Sequence, residues 1–183
     1  VGSVRTIDDW PSVNLMVRRN TFLDVEGFDC RYWPGEDTKL CLNLIRTGKK
    51  LLYVPDLVVW HHRRAGFWAH LKQVGGYGLH RGYFAKHYPQ TSLRLKYFAP
   101  SAFVFFALAT FLSSWVESLV WPIRLGWFAY GAALALGFRD IFKFESLSVA
   151  VITLIYIPVT HLYYGIQFMH GFFLKGELVS KLR

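Results

Sequence analysis

Three hydrophobic stretches that almost lack charged residues fill the second half of the chain. Of Asp, Glu, Lys and Arg, these stretches contain only Arg124. A helix needs about 20 residues to cross the hydrocarbon core of a bilayer. A buried helical hairpin in a soluble protein is the alternative, but three such segments in succession are hard to bury. The pattern therefore predicts transmembrane helices near residues 98–116, 119–138 and 148–169.

Shorter elements of mixed type fill the first half. Hydrophobic spacing and turn residues predict three strands and three helices. The strands are expected at 13–17, 51–54 and 57–60, and the helices at 21–26, from Glu36 to Gly48, and at 67–84. Gly75, Gly76 and Gly78 are expected to loosen the middle of the last helix. Residues 77–88 are expected to lie on a membrane surface before the first span.

Composition divides the chain at the same place. The protein has 183 residues, of which 53% are hydrophobic, and its formal net charge is +9. Residues 1–97 hold 15 Lys and Arg against 8 Asp and Glu, whereas residues 98–183 hold 6 against 4. We therefore predict a polar, basic part over 1–97 and a membrane part over 98–183. Cys30 and Cys41 show no metal or disulfide spacing, which favours free thiols in a reducing compartment.

The basic residues favour a membrane partner over a nucleic acid. Basic segments next to membrane spans attract anionic lipid headgroups, and the sequence contains no nucleic-acid-binding motif. Cytoplasmic loops are rich in Lys and Arg, so we expect the first half on the cytoplasmic side. Three full crossings would place Lys175 outside, against this rule. Either the third segment does not fully cross, or a further span follows.

The run from Trp33 to Thr38, Trp-Pro-Gly-Glu-Asp-Thr, places two carboxylates at the start of a predicted helix. Helix N-termini stabilise anions, so we expect Glu36 and Asp37 to be ionised near neutral pH. An ionised carboxylate there can accept a proton from a substrate hydroxyl. Ordinary capping of the helix is the alternative interpretation of the two acids.

The flanking residues form a recognisable set. It runs through Asn14, Arg18-Arg19, Phe22, Glu26-Gly27-Phe28-Asp29, Gly35-Glu36-Asp37, Leu40, Gly48, Tyr53-Val54-Pro55-Asp56 and His61. From Val13 to about Tyr88 the chain resembles the acceptor-side half of membrane-associated family 2 glycosyltransferases. The resemblance implies an α/β fold, namely a partial GT-A (Rossmann-like) catalytic domain followed by about three transmembrane helices.

The resemblance also implies roles for particular residues. Such enzymes transfer a sugar from a nucleotide sugar to an acceptor hydroxyl, with inversion at the anomeric carbon. By this resemblance Asp37 is the general base, and Glu36 orients the acceptor or the base. The substrate and its diphosphate would be bound by Arg63, Arg64, Arg81, Gln73 and Trp33. The arginines have an alternative role, which is contact with anionic lipid headgroups or solvent.

A divalent metal, Mg²⁺ or Mn²⁺, is implied as the cofactor. Its main ligands in the family form an Asp-x-Asp motif, which this chain lacks. His61 or His62 is implied as a further contact to the metal or the diphosphate. Adjacent residues of an extended chain point to opposite sides, so only one of the two can serve. Without the donor half of the fold, the isolated chain is expected to be inactive and not to bind a nucleotide sugar.

The expected partners are a nucleotide sugar, the lipid bilayer, and an acceptor that is a lipid-linked glycan or a surface polysaccharide. Processive members of the family carry Gln-x-x-Arg-Trp, but after Gln73 this chain has Gly76 and Tyr77. The difference favours transfer of a single sugar. The enzyme is expected to be of hexosyltransferase type and to lie in a bacterial inner membrane with its catalytic part in the cytoplasm. The competing hypothesis is a non-enzymatic membrane subunit of a transport or envelope-assembly complex.

Overall fold

The computed structural model describes residues 2–62 and 65–178. Helices dominate this part of the chain, and its two strands are three residues long each. The strands are β1 (Arg5–Ile7) and β2 (Leu51–Tyr53). The helices are α1 (Arg19–Asp24), α2 (Glu36–Arg46), α3 (Phe67–His87), α4 (Pro89–Ser92), α5 (Leu95–Leu112), α6 (Val120–Phe142) and α7 (Leu147–Phe173). Short 3₁₀ turns lie at Ser12–Asn14, Cys30–Tyr32 and Glu117–Leu119.

The sheet differs from the expected one. β1 and β2 pair antiparallel, with Arg5 opposite Tyr53 and Ile7 opposite Leu51. The described residues form no further strand pairing, so the Rossmann-like α/β fold is not confirmed. The strands predicted at 13–17 and 57–60 are absent, because a strand needs a neighbour for its backbone groups and neither segment finds one.

Helix α2 forms the centre of a small core in the first half. It begins at Glu36, as predicted, and its apolar face buries Leu40, Cys41 and Leu44 against Leu51 of β2. Four-residue spacing places these side chains on one side of the helix. The core therefore fixes the direction of α2 and with it the position of its N-terminus.

Helix α3 is continuous from Phe67 to His87 and packs along α7. Of the three glycines predicted to loosen α3, Gly78 instead allows a close approach to α7, because a Cβ atom added there would lie 2.7 Å from the backbone carbonyl oxygen of Tyr164. Two further glycines lie at the same helix contact. A Cβ atom added to Gly82 would overlap the backbone carbonyl of Phe168, and one added to Gly171 would overlap that of Leu79. Small residues at such crossings permit backbone contact that a larger side chain would prevent.

Three helices are long and apolar enough to cross a membrane. They are Leu95–Leu112, Glu117–Phe142 (α6 with the preceding turn) and Leu147–Phe173, with mean hydropathies of 1.6, 1.3 and 1.6. Only 11%, 6% and 11% of the residues in their most apolar windows are buried inside the protein. The apolar surface that remains matches the needs of lipid contact, in agreement with the predicted spans.

Helices α5 and α7 run antiparallel. The rings of Phe98 and Phe168 lie 4.7 Å apart, and the Ser101 hydroxyl donates a 3.1 Å hydrogen bond to the carbonyl of Gly165. The start of α5 and the end of α7 therefore lie at one end of the bundle.

Two ion pairs join the start of the chain to this same end. Asp9 pairs with Arg81 of α3, and Asp8 pairs with Arg94, which precedes α5. The first pair is the more buried, because its side chains are 22% (Arg81) and 16% (Asp9) exposed against 37% (Arg94) and 53% (Asp8) for the second. The segment that precedes α2 is thus joined to α3 and to the residue before α5, close to the N-terminus of α2.

Candidate active site

The acidic turn rests directly on α3. Gly35 is the residue before α2, and a Cβ atom there would lie 3.3 Å from the Cβ of His80. One helical turn earlier, a Cβ atom on Gly76 would lie 3.3 Å from Pro34. The Pro-Gly turn therefore fits against a face of α3 that has little side-chain volume. This contact aims the first turn of α2 at the space between α3 and α7.

A cavity of about 350 Å³ occupies that space. Its lining comes from the acidic turn, from one face of α3 and from the C-terminal half of α7. The lining residues are Ser12, Trp33, Pro34, Glu36, Asp37, Lys72, Gln73, Gly75, Gly76, Tyr77, Leu79, His80, Tyr163 and Gln167. Four of the site residues expected from the sequence thus line one cavity, namely Trp33, Glu36, Asp37 and Gln73.

Asp37 is held by two backbone donors. The amide of Thr38 donates to Oδ1 at 2.7 Å, and the amide of Ser12 donates to Oδ2 at 3.2 Å. Burial raises the pKa of Asp37 above its ordinary value, although the two hydrogen bonds oppose this shift. A carboxylate with a raised pKa is a stronger base, and the fixed orientation suits proton abstraction from a bound hydroxyl.

Glu36 lies in a different environment, although it is the adjacent residue. Burial raises its pKa, and the nearby charge of Asp37 adds to the increase. Its Oε2 atom is buried without a hydrogen-bond partner among the described residues. A buried acceptor without a donor is costly, which makes this oxygen a candidate for contact with a ligand.

Sequence reasoning missed His80. This histidine is 5% exposed, lines the cavity from α3, and carries a second buried atom without a partner, Nε2. Gln73, Gly76 and His80 follow the three- and four-residue spacing of one helix face, and this spacing was the available signal. Burial of that face depends on α7 and on the acidic turn, so the spacing alone did not reveal the cavity.

Arg81 has a structural partner. It forms an ion pair with Asp9, donates a 3.3 Å hydrogen bond to the Ser92 hydroxyl, and lies over the ring of Tyr97. It is not one of the described residues that line the cavity. Asp9 also accepts a 3.0 Å hydrogen bond from the hydroxyl of Thr38, the residue after Asp37. Arg81 therefore stabilises the wall behind the carboxylates.

Among the other predicted site residues, the structure describes His61 and His62 but does not bring them together with the carboxylates. His61 and His62 lie on an exposed segment. Arg63 and Arg64 lie outside the described residues. Across residues 2–62 and 65–178, no three His, Cys, Asp or Glu side chains cluster as a metal site would require. The described residues alone therefore do not form a complete site for a divalent metal.

A larger cavity, of about 490 Å³, lies elsewhere, beside the two-stranded sheet. Its lining includes Asn14, Arg18, Lys49 and Lys50, and no aspartate or glutamate is among the described residues that line it. Because it offers no carboxylate to act as a base, the smaller cavity is the better candidate for chemistry.

Comparison with known families identifies the family of the chain. The model of the family described as glycosyl transferase family group 2 matches residues 6–166. The match covers most of the chain, including the acidic turn and all three long apolar helices up to the C-terminal part of α7. The chain therefore belongs to glycosyl transferase family group 2.

Two curated relatives show a weaker similarity. The pre-mycofactocin glycosyltransferases of Mycobacterium tuberculosis strains CDC 1551 / Oshkosh and ATCC 25618 / H37Rv are each 39% identical to the chain over 59 residues. These residues make up 32% of this chain and 13% of each relative, so the chain matches only a small part of their length. No solved structure gives a significant match.

Proposed function

We propose that this chain supplies the acceptor side of an inverting glycosyltransferase that uses a nucleotide sugar, with Asp37 as general base. One observation carries the proposal. Asp37 and Glu36, at the N-terminus of α2, line a cavity together with Trp33 and Gln73 and with side chains of α7. Membership of a glycosyltransferase family supports the reaction class.

The proposed reaction is a nucleophilic displacement at the anomeric carbon of the donor sugar. Asp37 accepts the proton of an acceptor hydroxyl, and the hydroxyl oxygen forms a bond to the anomeric carbon of the donor sugar. The bond between that carbon and the diphosphate oxygen breaks on the opposite face, and the nucleoside diphosphate leaves with the electron pair. A hydroxyl is a weak nucleophile until a positioned carboxylate removes its proton, and such a base contributes about 10²- to 10⁴-fold to the rate.

The position of the cavity supports an acceptor that is bound at a membrane. Tyr163 and Gln167 line the cavity and belong to α7, a candidate transmembrane helix. A lipid-linked glycan or a nascent surface polysaccharide would enter from that side, and the nucleotide sugar would approach from the polar half. We infer a bacterial inner membrane with the polar half in the cytoplasm, where nucleotide sugars are made.

Other residues of the chain would contact the diphosphate and the metal. Arg63 and Arg64 remain candidates for contact with the diphosphate or with lipid headgroups, and His61 or His62 for contact with the metal. Any Mg²⁺ or Mn²⁺ would take its main ligands from residues other than those described, because the described residues form no metal cluster.

Replacement of Asp37 by Asn tests the proposal. Transfer is measured in membranes that contain the natural protein, with a panel of radiolabelled nucleotide sugars and extraction of labelled lipids and polymers. We expect Asp37→Asn to lower transfer by about 10²- to 10⁴-fold, with normal membrane insertion. Asp24→Asn, at the exposed end of α1, is the matched control and should leave transfer unchanged.

Two results would contradict the proposal. Unchanged transfer by the Asp37→Asn protein would exclude Asp37 as the base. No transfer by the unmodified protein with any donor of the panel would instead favour the non-enzymatic membrane subunit.

A further inference from the structure

Two buried polar atoms without a partner belong to residues that line the same cavity. They are Oε2 of Glu36, from the first turn of α2, and Nε2 of His80, from α3. Buried polar atoms in folded proteins nearly always have a hydrogen-bond partner. Two exceptions in residues around one cavity are explained if a molecule bound in that cavity supplies the missing partners.

The hydrogen bond made by Nδ1 of His80 determines whether Nε2 is a donor or an acceptor. Nδ1 lies 2.9 Å from the backbone carbonyl of Gly76, and a carbonyl can only accept, so Nδ1 carries a proton. Burial lowers the pKa of His80, although the carbonyls of Gly76 and Trp33 oppose this shift. The ring is therefore neutral near pH 7. The Trp33 carbonyl is near the ring but does not meet the geometry of a hydrogen bond with Nε2, so with the proton on Nδ1 the Nε2 atom presents a lone pair.

The part of the cavity wall formed by the acidic turn and His80 therefore offers hydrogen-bond acceptors. Glu36 and Asp37 contribute carboxylate oxygens, and His80 contributes a ring nitrogen. Next to these two acids, a fully ionised phosphate or carboxylate would be repelled and would have no proton to donate to Nε2. Lys72 is the only Lys or Arg among the described residues that line the cavity. A ligand with several hydroxyl groups can donate to all three acceptors at once.

Aromatic side chains complete the wall. Trp33, Tyr77 and Tyr163 line the cavity beside the acceptors, and the Tyr77 hydroxyl accepts a 2.9 Å hydrogen bond from the Gln73 amide. Flat apolar rings next to precisely placed polar groups are typical of pockets for small ligands. The C–H faces of a sugar ring suit such surfaces, whereas its hydroxyl groups suit the acceptors.

We propose that His80 is an acceptor-binding residue, whose Nε2 accepts a hydrogen bond from a sugar hydroxyl that Glu36 also contacts. The bound ligand is thus a neutral polyhydroxyl group, namely the terminal sugar of the acceptor. This inference rests on the proposed function, because it assigns the substrate class of the cavity in which Asp37 acts as base.

A binding measurement tests the inference without any transfer reaction. The chain is placed in phosphatidylcholine nanodiscs free of glycolipid and titrated with hexyl β-glucoside, with hexyl phosphate and hexanol as probes of the same alkyl length. We expect saturable binding of the glucoside alone. His80→Phe, which keeps a ring but removes the acceptor, should weaken this binding by about 3- to 10-fold.

Two further variants and an NMR measurement distinguish a loss of ligand binding from a loss of folding. His80→Gln retains an acceptor and should restore most of the affinity. His87→Phe changes an exposed histidine of the same helix outside the cavity and should have no effect. In the unmodified chain, the glucoside should shift the ¹⁵N resonance of His80 Nε2, as expected when its lone pair accepts a hydrogen bond.

The outcomes distinguish this inference from the proposed function. Equal glucoside affinity of the His80→Phe and unmodified chains, or an unmoved Nε2 resonance at saturation, would overturn the role of His80 while leaving Asp37 as base. Preference for hexyl phosphate would overturn the polyhydroxyl assignment. Glucoside binding that depends on His80, together with unchanged transfer after Asp37→Asn, would support the inference and reject the proposed base.

Discussion

Two opposing effects act on the carboxylates of the acidic turn. The position at a helix N-terminus stabilises an anion, which is the basis of the sequence prediction that both acids are ionised. Burial acts the other way and raises the pKa of both Glu36 and Asp37. The balance favours a base that is stronger than a surface aspartate. Burial of Glu36 lowers the stability of the folded protein, because its Oε2 atom has no hydrogen-bond partner among the described residues.

This cost predicts a stabilising substitution. Since the pKa of Glu36 is raised in the folded protein, its favourable contribution to stability is present below the unfolded pKa and is lost as the pH rises through the folded pKa. Glu36→Gln removes the ionisation. We expect the variant to unfold at a higher temperature than the unmodified chain at pH 8, and the difference to vanish near pH 4.

Thermal unfolding in detergent micelles measures this difference. Glu145→Gln, at an exposed position between α6 and α7, should show no such dependence on pH. An equal gain for Glu36→Gln at both pH values, or a loss at pH 8, would contradict the assignment of a buried charge to Glu36.

The sequence predicted the elements that turn residues and helical spacing specify. It did not predict the features that depend on contacts with residues far away in the sequence. The Pro-Gly turn and the spacing of Leu40 and Leu44 were sufficient to place the start of α2 at Glu36. The segment 13–17 has the apolar composition of a strand, but it contains part of a 3₁₀ turn because no neighbouring strand pairs with it. His80 was missed for the same reason, since its burial is produced by contacts from outside α3.

The glycine-mediated contact between α3 and α7 gives a prediction for these elements. A methyl group at Gly82 would collide with the backbone of Phe168, and such overpacking costs about 1–3 kcal/mol. Gly82→Ala should therefore lower the unfolding temperature and reduce transfer, because the cavity lies between the same two helices.

Gly131→Ala in α6 is the matched control. No atom lies within 4 Å of a Cβ atom placed there, so the substitution should be neutral or stabilise the helix by up to about 1 kcal/mol. Equal effects of the two substitutions on the unfolding temperature would show that backbone contact between α3 and α7 does not contribute to stability.

The direction of the long helices bears on how the whole molecule sits in a membrane. The start of α5 and the end of α7 share one end of the bundle, whereas α7 is about 40 Å long. Phe142 and Leu147, five residues apart, can be separated by no more than about 18 Å. The end of α6 must therefore lie near the start of α7. The end of α6 cannot lie at the opposite end of the bundle, where α7 ends. Two crossings, by α5 and α7, fit this geometry better than three.

Two crossings also agree with the charges. Arg94 and Lys96 flank the start of α5, and Lys175 follows the end of α7, so these cations lie at one end of the bundle. This arrangement follows the preference of basic residues for the cytoplasmic side, which three crossings would violate at Lys175. It also leaves the cavity at the membrane face on which the polar half lies.

Labelling of single cysteines tests the two-crossing arrangement. Cys30 is exposed and Cys41 is buried, so native Cys30 reports the side of the polar half. In a Cys30→Ser background, Lys175→Cys and Glu145→Cys are labelled with a membrane-impermeant maleimide in intact spheroplasts and in inverted vesicles. We expect Lys175→Cys to label on the same side as native Cys30 and Glu145→Cys on the opposite side. Three crossings predict the reverse pattern, with Glu145→Cys on the side of Cys30 and Lys175→Cys across the membrane.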